Sequence, residues 1–515
     1  AAGVSKEPRA SVLAEALVKI ADAEEDNADL AVTLAIELAA RLRAKEERPQ
    51  RIVVPTESGK VSNFDRVYID DAPWKHSAEI MTLHPRVSAE YGRLLGCTSL
   101  RDEMARLCED EGPAKEGGKD AEDAFGQEAD LVSQVRQLLQ EYGDGADVVT
   151  EFVQNNDDAG AGTVAFYLVD EKFGTERVVD PRTTALQGAA LYVCSDKPLT
   201  TEDISRMQRV GRSEKRLDFK SSGRFGVGLN VMYRYCDCPQ LLANGRLHYF
   251  DLTQKFVAKP GMRRGRQFTV EKLHEAFPDS HAPFEIGLFA DRFPTIFRLA
   301  LRQKRSDLGI QLDLPTVRSE LTKAAEMADK MLLFTRNLKR LEFHDGKKLI
   351  NTHEATVKDP AAYAAFFKEL PAGIPDLKAG KFNQITAQKN IITETPKGKT
   401  DAEWAIAHRV GCHQAMLDVL KAQFEQPHGV ALLPHGAAAA RVKPAEDEMR
   451  GGRICCGLPT PFRSNSCTWI NGSFALLSSR KTLPLPDDKE SKPTLDKQWN
   501  KMLLEGPVAM SMRGL

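Results

Sequence analysis

The chain lacks an excess of charge of either sign, a long apolar run and a paired set of cysteines. Its 515 residues carry 71 Lys and Arg against 73 Asp and Glu, a formal net charge of −2. That balance excludes a partner held through whole-chain charge, such as long nucleic acid or an anionic membrane; any polyanion site must be local. The most apolar stretch, ADLAVTLAIELAARL (28–42), contains Glu37 and Arg41 and is too short to span a bilayer. Its Leu30, Leu34, Leu38 and Leu42 recur every four residues, which fits one buried face of a helix. The first residues, AAGVSKEPRASVLAEAL, have no initiator Met and no signal-type apolar run, so we expect a fragment or processed product, and it is the cysteine usage that points to the cytoplasm or nucleus. The nine cysteines are odd in number and scattered, which predicts reduced thiols rather than a disulfide framework. Cys236 with Cys238, and Cys455 with Cys456, have no second pair at zinc-finger spacing; His408, Cys412 and His413 fall on an expected helix and are not read as a metal site. Low-complexity tracts and short-period repeats are absent too.

What is present is ordinary for a folded protein: 28 % charged and 42 % hydrophobic residues, with a length that suggests about three domains. Residues 10–47 read as a helical pair, with Asn27 or Asp29 as the cap of its second helix. Short strands are expected around TESGK within 51–75, and helix over 86–108. The charged, Gly-rich run EDEGPAKEGGKDAED (109–123) has linker composition. Beyond it, helical and strand patterns alternate to about residue 305, predicting an α/β sandwich rather than a bundle. An amphipathic helix is expected at 316–335, followed by mixed helices and strands.

Three segments carry chemistry. In EFVQNNDDAG (151–160), Glu151, Asn155 and Asp158 are spaced by four and then three and share one helix face. A carboxylate, an amide oxygen and a second carboxylate in one stripe suit a magnesium–phosphate site; taken alone, they fit a polar, capped helix end better. In SGRFGVGLN (222–230), three glycines ahead of an apolar stretch expose N–H groups that can cradle phosphates, or form a tight loop with no ligand. The G-x-x-G-x-G order matches neither the Rossmann fingerprint nor a Walker loop. The strand AALYVCSD ends in Asp196, an acid able to accept a hydrogen bond from an exocyclic amine, or a turn residue.

In this order the three segments resemble the N, G1 and G2 boxes of the GHKL (Bergerat-fold) ATPases, which include the ninety-kilodalton heat-shock chaperones. The likeness is closer to the sacsin family and its repeated regions. It is carried by FGQ (125–127), EFVQNNDDAGA (151–161), ALYVCSD (190–196), TTEDISRMQRVGRSEK (200–215), GRFGVGLNVMYRYCDCP (223–239), LHYFD (247–251), PTIFRLALR (294–302), LLFTRNLKRLEF (332–343), GRICCGLPTP (452–461) and WINGSFALLSSRK (469–481). IDDAPW and HPRVSAEYGRLLGCTSLR resemble the end of a preceding repeat, so the likeness runs from about 51 to about 505. It implies Glu151 as general base toward the attacking water, Asn155 as ligand of magnesium on ATP, and Asp158 as a lining residue. It further implies Asp196 and Thr295 at adenine, and Gly223, Arg224, Phe225, Gly226, Val227 and Gly228 as the phosphate lid. Arg480 matches a catalytic-arginine loop, where it would meet γ-phosphate charge after domain docking. The chain departs from the pattern at Lys197-Pro198 after the acid, at Pro294 before Thr295 and at Leu229.

The resulting expectation is an α/β (α+β) multidomain chain: a repeat end of helices and short strands (1–108), a linker (109–124), a Bergerat-type ATP-binding domain (125–310) and a middle-type α/β domain (311–515). Its function would be that of an ATP- and magnesium-dependent chaperone or co-chaperone module with slow turnover. Nucleotide would move lid and neighbouring domain to control clients, with the seventy-kilodalton heat-shock system as partner, inside a larger repeat protein. Nucleic acid and membrane are not expected. The alternative is a scaffold repeat that keeps the fold and binds nucleotide weakly or not at all. A sensor kinase is excluded, because upstream of Glu151 only His76 and His84 occur and neither stands in a His-Glu pair. Arg263, Arg264 and Arg266 read as a solvated basic loop.

Overall fold

The computed structural model describes residues 8–23, 27–75, 80–108, 131–141, 145–207, 228–259, 263–309, 311–371, 373–425, 432–443, 451–464, 466–476, 483–487, 490 and 492–515. In chain order the regular elements are α1 (Ala10–Ala23), α2 (Ala28–Arg43), β1 (Val53–Pro55), β2 (Val61–Asn63), β3 (Tyr68–Ile69), α3 (Ala89–Leu95), β4 (Thr98–Ser99), α4 (Leu100–Cys108), α5 (Leu131–Glu141), α6 (Gly145–Ala159), β5 (Thr163–Val169), β6 (Ala190–Ser195) and α7 (Thr201–Met207). They continue with β7 (Gln240–Ala243), β8 (Arg246–Tyr249), β9 (Arg266–Thr269), α8 (Val270–Ala276), α9 (Pro278–His281), β10 (Thr295–Ala300), α10 (Leu314–Met331), β11 (Arg340–Asp345), β12 (Lys348–Val357) and α11 (Pro360–Lys368). Last come β13 (Phe382–Thr395), β14 (Gly398–Gly411), α12 (Gln414–Phe424), β15 (His435–Lys443), β16 (Arg453–Cys456), β17 (Leu458–Arg463), β18 (Trp469–Gly472), α13 (Leu495–Leu503) and α14 (Ala509–Met512). The class is mixed α/β. No helix among the described residues is long and apolar enough to cross a membrane. All nine cysteines are free thiols.

Two compact units share the chain. The first takes residues 1–117, 174–184 and 266–283. Leu13, Leu17, Val32, Ala35 and Leu38 of the α1–α2 pair pack with Ile52, Val53 and Val54 beside the β1–β2 hairpin. Arg101 ties the 174–184 segment to this unit: its guanidinium donates to the carbonyls of Asp71, Val178 and Glu176 and lies 4.8 Å from the Trp74 ring centroid.

The second unit takes residues 118–173, 185–265 and 284–515. Its strands form one sheet in the order β17-β16-β18-β15-β14-β13-β12-β11-β5-β6-β10-β7-β8. Pairing is antiparallel except where β11 runs parallel to β5 and β16 parallel to β18. Strand β5, TVAFYLV, is buried on both faces, as a run without alternation requires. Val164, Phe166 and Leu168 join the core with Val149, Phe152 and Val153 of α6 and Ala324, Ala325 and Ala328 of α10. Tyr167, on the opposite face, stacks on His344 at 4.4 Å between centroids. At the far end, β17 carries Pro459 and Pro461, and the Phe462 N–H turns onto Thr460 Oγ1 at 3.3 Å.

Several expectations shift. The helix expected at 316–335 is Leu314–Met331, because Leu332–Leu338 leave the helical path to meet side chains from α6 and β13. Helix over 86–108 is divided by Gly96, left-handed at φ 99°, and by β4. His408 lies in β14, while Cys412 and His413 precede α12, so no helix unites them. Asn27 makes no side-chain cap bond to α2, and the Asp29 carboxylate is taken by Arg86. Arg264 donates to the Leu252 carbonyl and is not simply solvated. The 109–124 linker lies outside the described residues.

Gly436 in β15 meets the backbone of the C-terminal turn. A Cβ there would stand 2.5 Å from Val508 N and 2.6 Å from Pro507 C. Backbone cannot yield as a side-chain tip can, so Gly436→Ala should lower unfolding free energy by about 2 kcal/mol or more. Urea denaturation checks this, with Gly506→Ala, where nothing lies within 4 Å, as the reference.

Candidate functional site

Helix α6 buries Val148, Val149, Phe152 and Val153, with Phe152 edge-on to Phe297 of β10 at 5.4 Å. It ends at Gly160, left-handed at φ 83°, where Gly160 N–H donates to Asp157 O and Ala161 N–H to Asn156 O, a Schellman closure. The face predicted from spacing exists: Glu151 is buried at 3 % exposure, while Asn155 and Asp158 are half-buried. At the start of the helix Gly145 leaves room for Glu320, which accepts from Arg234 at 2.5 Å and from Tyr235 at 2.8 Å. The segment that follows the Gly-rich run is therefore anchored to both α6 and α10.

The exit of α6 meets the end of β6. Asp196 Oδ1 accepts the Gly162 N–H at 2.9 Å, and its own N–H reaches Thr163 O at 3.2 Å. Thr295 pairs with Ser195 across β10 and β6 and donates its hydroxyl to Lys197 O at 2.7 Å. Asp196, Thr295 and the Gly160–Gly162 turn thus form one cluster at one end of the sheet. Gly228 opens a 3₁₀ turn, Gly228–Arg234. Gly223, Arg224, Phe225, Gly226, Val227 and Arg480 lie outside the described residues.

Sequence reasoning missed Asp157, which lies off the 151–155–158 stripe. Its carboxylate accepts the N–H groups of Arg336, Asn337 and Leu338 at 2.8–3.1 Å, while Asn337 Nδ2 donates to Asp157 O at 2.8 Å. Burial raises the Asp157 carboxyl above the usual range despite those three donors. It also missed Lys389, a lone cation in the β13 sequence FNQITAQKNIITET. The Lys389 ammonium is buried and donates to the carbonyls of Leu332, Leu333 and Thr335 at 2.8, 3.1 and 3.2 Å; burial brings it down to about 8. No local pattern marks either residue, since both act on a loop far along the chain.

A small cleft, with room for little more than a water molecule, lies between α6 and the C-terminal strands. Gln154 and Asp157 line one wall, Arg336 its floor, and His435, Asn471 and Ser473 the other wall. The stretch containing WINGS therefore reaches back to the helix that carries Glu151. Behind it His435 stacks on His408, with Nε2 3.1 Å from His408 Nδ1, and Tyr363 OH is 3.3 Å from His408 Nε2. Glu342, on the opposite face of the sheet from the α6 core, is also buried. Burial alone would raise it, but hydrogen bonds from His344, Arg340 and Arg292 prevail and hold it near about 2.

The site is a carboxylate-and-amide helix face closed against an acid at a strand end, inside a mixed α/β unit. Residues 128–358 match the family model described as Sacsin domain, a stretch that includes Glu151, Asn155, Asp158, Asp196, Gly228 and Thr295. The chain is 26 % identical over 417 residues to human Sacsin, an alignment covering 73 % of this chain and 9 % of that protein. The two likenesses support a sacsin-type relationship, and the chain spans less than a tenth of that relative's length.

The buried histidines predict a pH dependence. Burial pushes His435 down to about 3 and His248 to about 4, and lowers His353 and His408 as well; Arg336 disfavours charge on His408 and His435, and Lys389 on His408. Each folded value lies below the unfolded ~6.5, so this stability is fully present above ~6.5 and is lost as pH falls toward the folded values. Where one such histidine is charged in the unfolded chain and neutral in the fold, the slope is about 1.4 kcal/mol per pH unit. Urea titrations at pH 7.5, 6 and 5 should show the decline, and His435→Gln should flatten it.

Proposed function

We propose that the second unit is a nucleotide-binding module of GHKL type that takes ATP with magnesium and turns it over slowly. The observation that carries this reading is the clustering of Asp196, Thr295 and the exit of α6 at one end of the sheet. Asp196 and Thr295 would meet adenine, Glu151 would orient water, and Asp158 would line the pocket. The donor set fits a hard cation: Asn155 would hold magnesium through its amide oxygen, and the ion would screen the phosphate charges. The Gly223–Gly228 loop would close over the phosphates, and Arg480, eight residues after Gly472 of β18, would approach from the C-terminal strands. The output would be conformational, a chaperone or co-chaperone function in which bound nucleotide alters the surface offered to clients or to a heat-shock chaperone partner.

A second reading, a scaffold repeat without nucleotide, draws on a specific observation. Asp196 and Thr295 already hold backbone groups of the fold, Gly162 N–H and Lys197 O, so their presence alone has a structural explanation.

Calorimetry separates the two readings. Asp196→Asn keeps an oxygen for the Gly162 N–H while replacing the second acceptor by a donor, so the fold survives and adenine recognition does not. We expect Mg-ATP binding by the wild type, at least a tenfold loss in Asp196→Asn, and binding without turnover in Glu151→Gln. An absence of binding at millimolar ATP by the wild type defeats the nucleotide reading and leaves the scaffold.

A further inference from the structure

We propose that Asp157 and Lys389 form a charge-coupled strut through the loop 332–338, making both positioning residues for the α6 face; the part concerning nucleotide rests on the reading above. The two side chains work through one segment of backbone. Three N–H groups, of Arg336, Asn337 and Leu338, converge on the carboxylate, and three carbonyls, of Leu332, Leu333 and Thr335, converge on the ammonium. The Thr335 hydroxyl spans Leu332 O and Leu338 O at 3.1 and 2.8 Å, binding the two ends of the loop together. One peptide serves both charges: the Thr335–Arg336 unit gives its N–H to the Asp157 carboxylate and its C=O to the Lys389 ammonium, so its dipole runs from anion to cation and each charge stabilises the orientation that the other uses. Lys389 is 3 % exposed, with the Tyr363 ring 5.4 Å from its Nζ. Removing the carboxylate weakens the dipoles that hold a buried cation, so the effects of the two side chains are coupled.

The elements joined are distinct. Asp157 stands two residues after Asn155 and one before Asp158, in the last turn of α6. Lys389 stands mid-way along β13, three strands from β5 in the sheet order. A displacement of the last turn of α6 must pull the loop, and the loop carries Lys389 with it. The structure thus couples the helix face that would meet magnesium and phosphate to the long β13–β14 hairpin.

Hydrogen–deuterium exchange on the full chain tests the coupling without nucleotide. Lys389→Met should speed exchange in peptides covering 153–162 at least tenfold, and Asp157→Asn should do so over 386–393. The double variant should exchange no faster than the faster single one. Leu241→Ala, in core on β7, serves as a control that lowers stability without touching the strut; the same pattern in that variant overturns the proposal, as does exchange that changes only at the substituted residue's own element. Asp157→Glu keeps the charge and moves it by one methylene, and so serves should Asp157→Asn fail to fold; unchanged exchange over 386–393 in it also overturns the strut. With nucleotide, Lys389→Met should weaken Mg-ATP binding at least tenfold relative to Leu241→Ala. Unchanged affinity removes the strut from the site, whereas no binding by the wild type defeats the nucleotide reading and leaves the exchange result to decide the strut.

Discussion

The parallel pairing of β11 with β5 is the constraint on which the second unit depends. All six residues of β11 are in register with β5, from Arg340 against Thr163 to Asp345 against Leu168. On its other side β5 meets β6 in antiparallel register. The strand after α6 is thereby central to the sheet, and everything from β12 onward extends from it. A parallel neighbour cannot be reached by a hairpin and needs a crossover. Here the helix immediately before β11 is α10, which packs on the same face as α6. The stacked rings of Phe166 and Phe343, 5.1 Å apart, mark the seam on that face, and those of Tyr167 and His344 mark it on the other.

That architecture was readable where burial is two-sided or periodicity is clean. TVAFYLV and ALYVCS are unbroken apolar runs and emerged as central strands; the Val and Phe spacing of α6 emerged as a helix with its polar stripe where arithmetic placed it. The failures have local causes. LLF at 332–334 continues the apolar rhythm of α10, yet a buried carboxylate and a buried ammonium draw those peptides away, and neither side chain is within reach in sequence. His408, Cys412 and His413 read as neighbours on a helix, whereas His408 belongs to a strand beside Tyr363 and His435, and the helix starts only after His413. Of the candidate site, the α6 face and the acid that ends ALYVCSD are legible as residue types, whereas Thr295 is marked only by the family resemblance. Their union at one sheet end depends on strand pairing that no single segment encodes.

The same residues do two kinds of work in this reading. Asp196 restrains the Gly162 amide and Thr295 restrains the Lys197 carbonyl, so the turn leaving α6 and the turn leaving β6 are set by side chains of the expected adenine pocket. Were nucleotide to bind here, these two turns would be held before it arrives, and less ordering would oppose binding. The arrangement also makes loss of nucleotide recognition separable from loss of fold only by substitutions that preserve the acceptor facing Gly162.

The prolines of β17 have a consequence at the sheet's outer boundary. A strand from another molecule, approaching to extend the ladder, needs N–H and C=O groups presented in alternation. Pro459 and Pro461 have no N–H, and that of Phe462 is already spent on the Thr460 hydroxyl. Three of the six residues of this strand thus have no free backbone N–H to offer. The missing N–H donors weaken the ladder that a strand from a neighbouring molecule could build on β17.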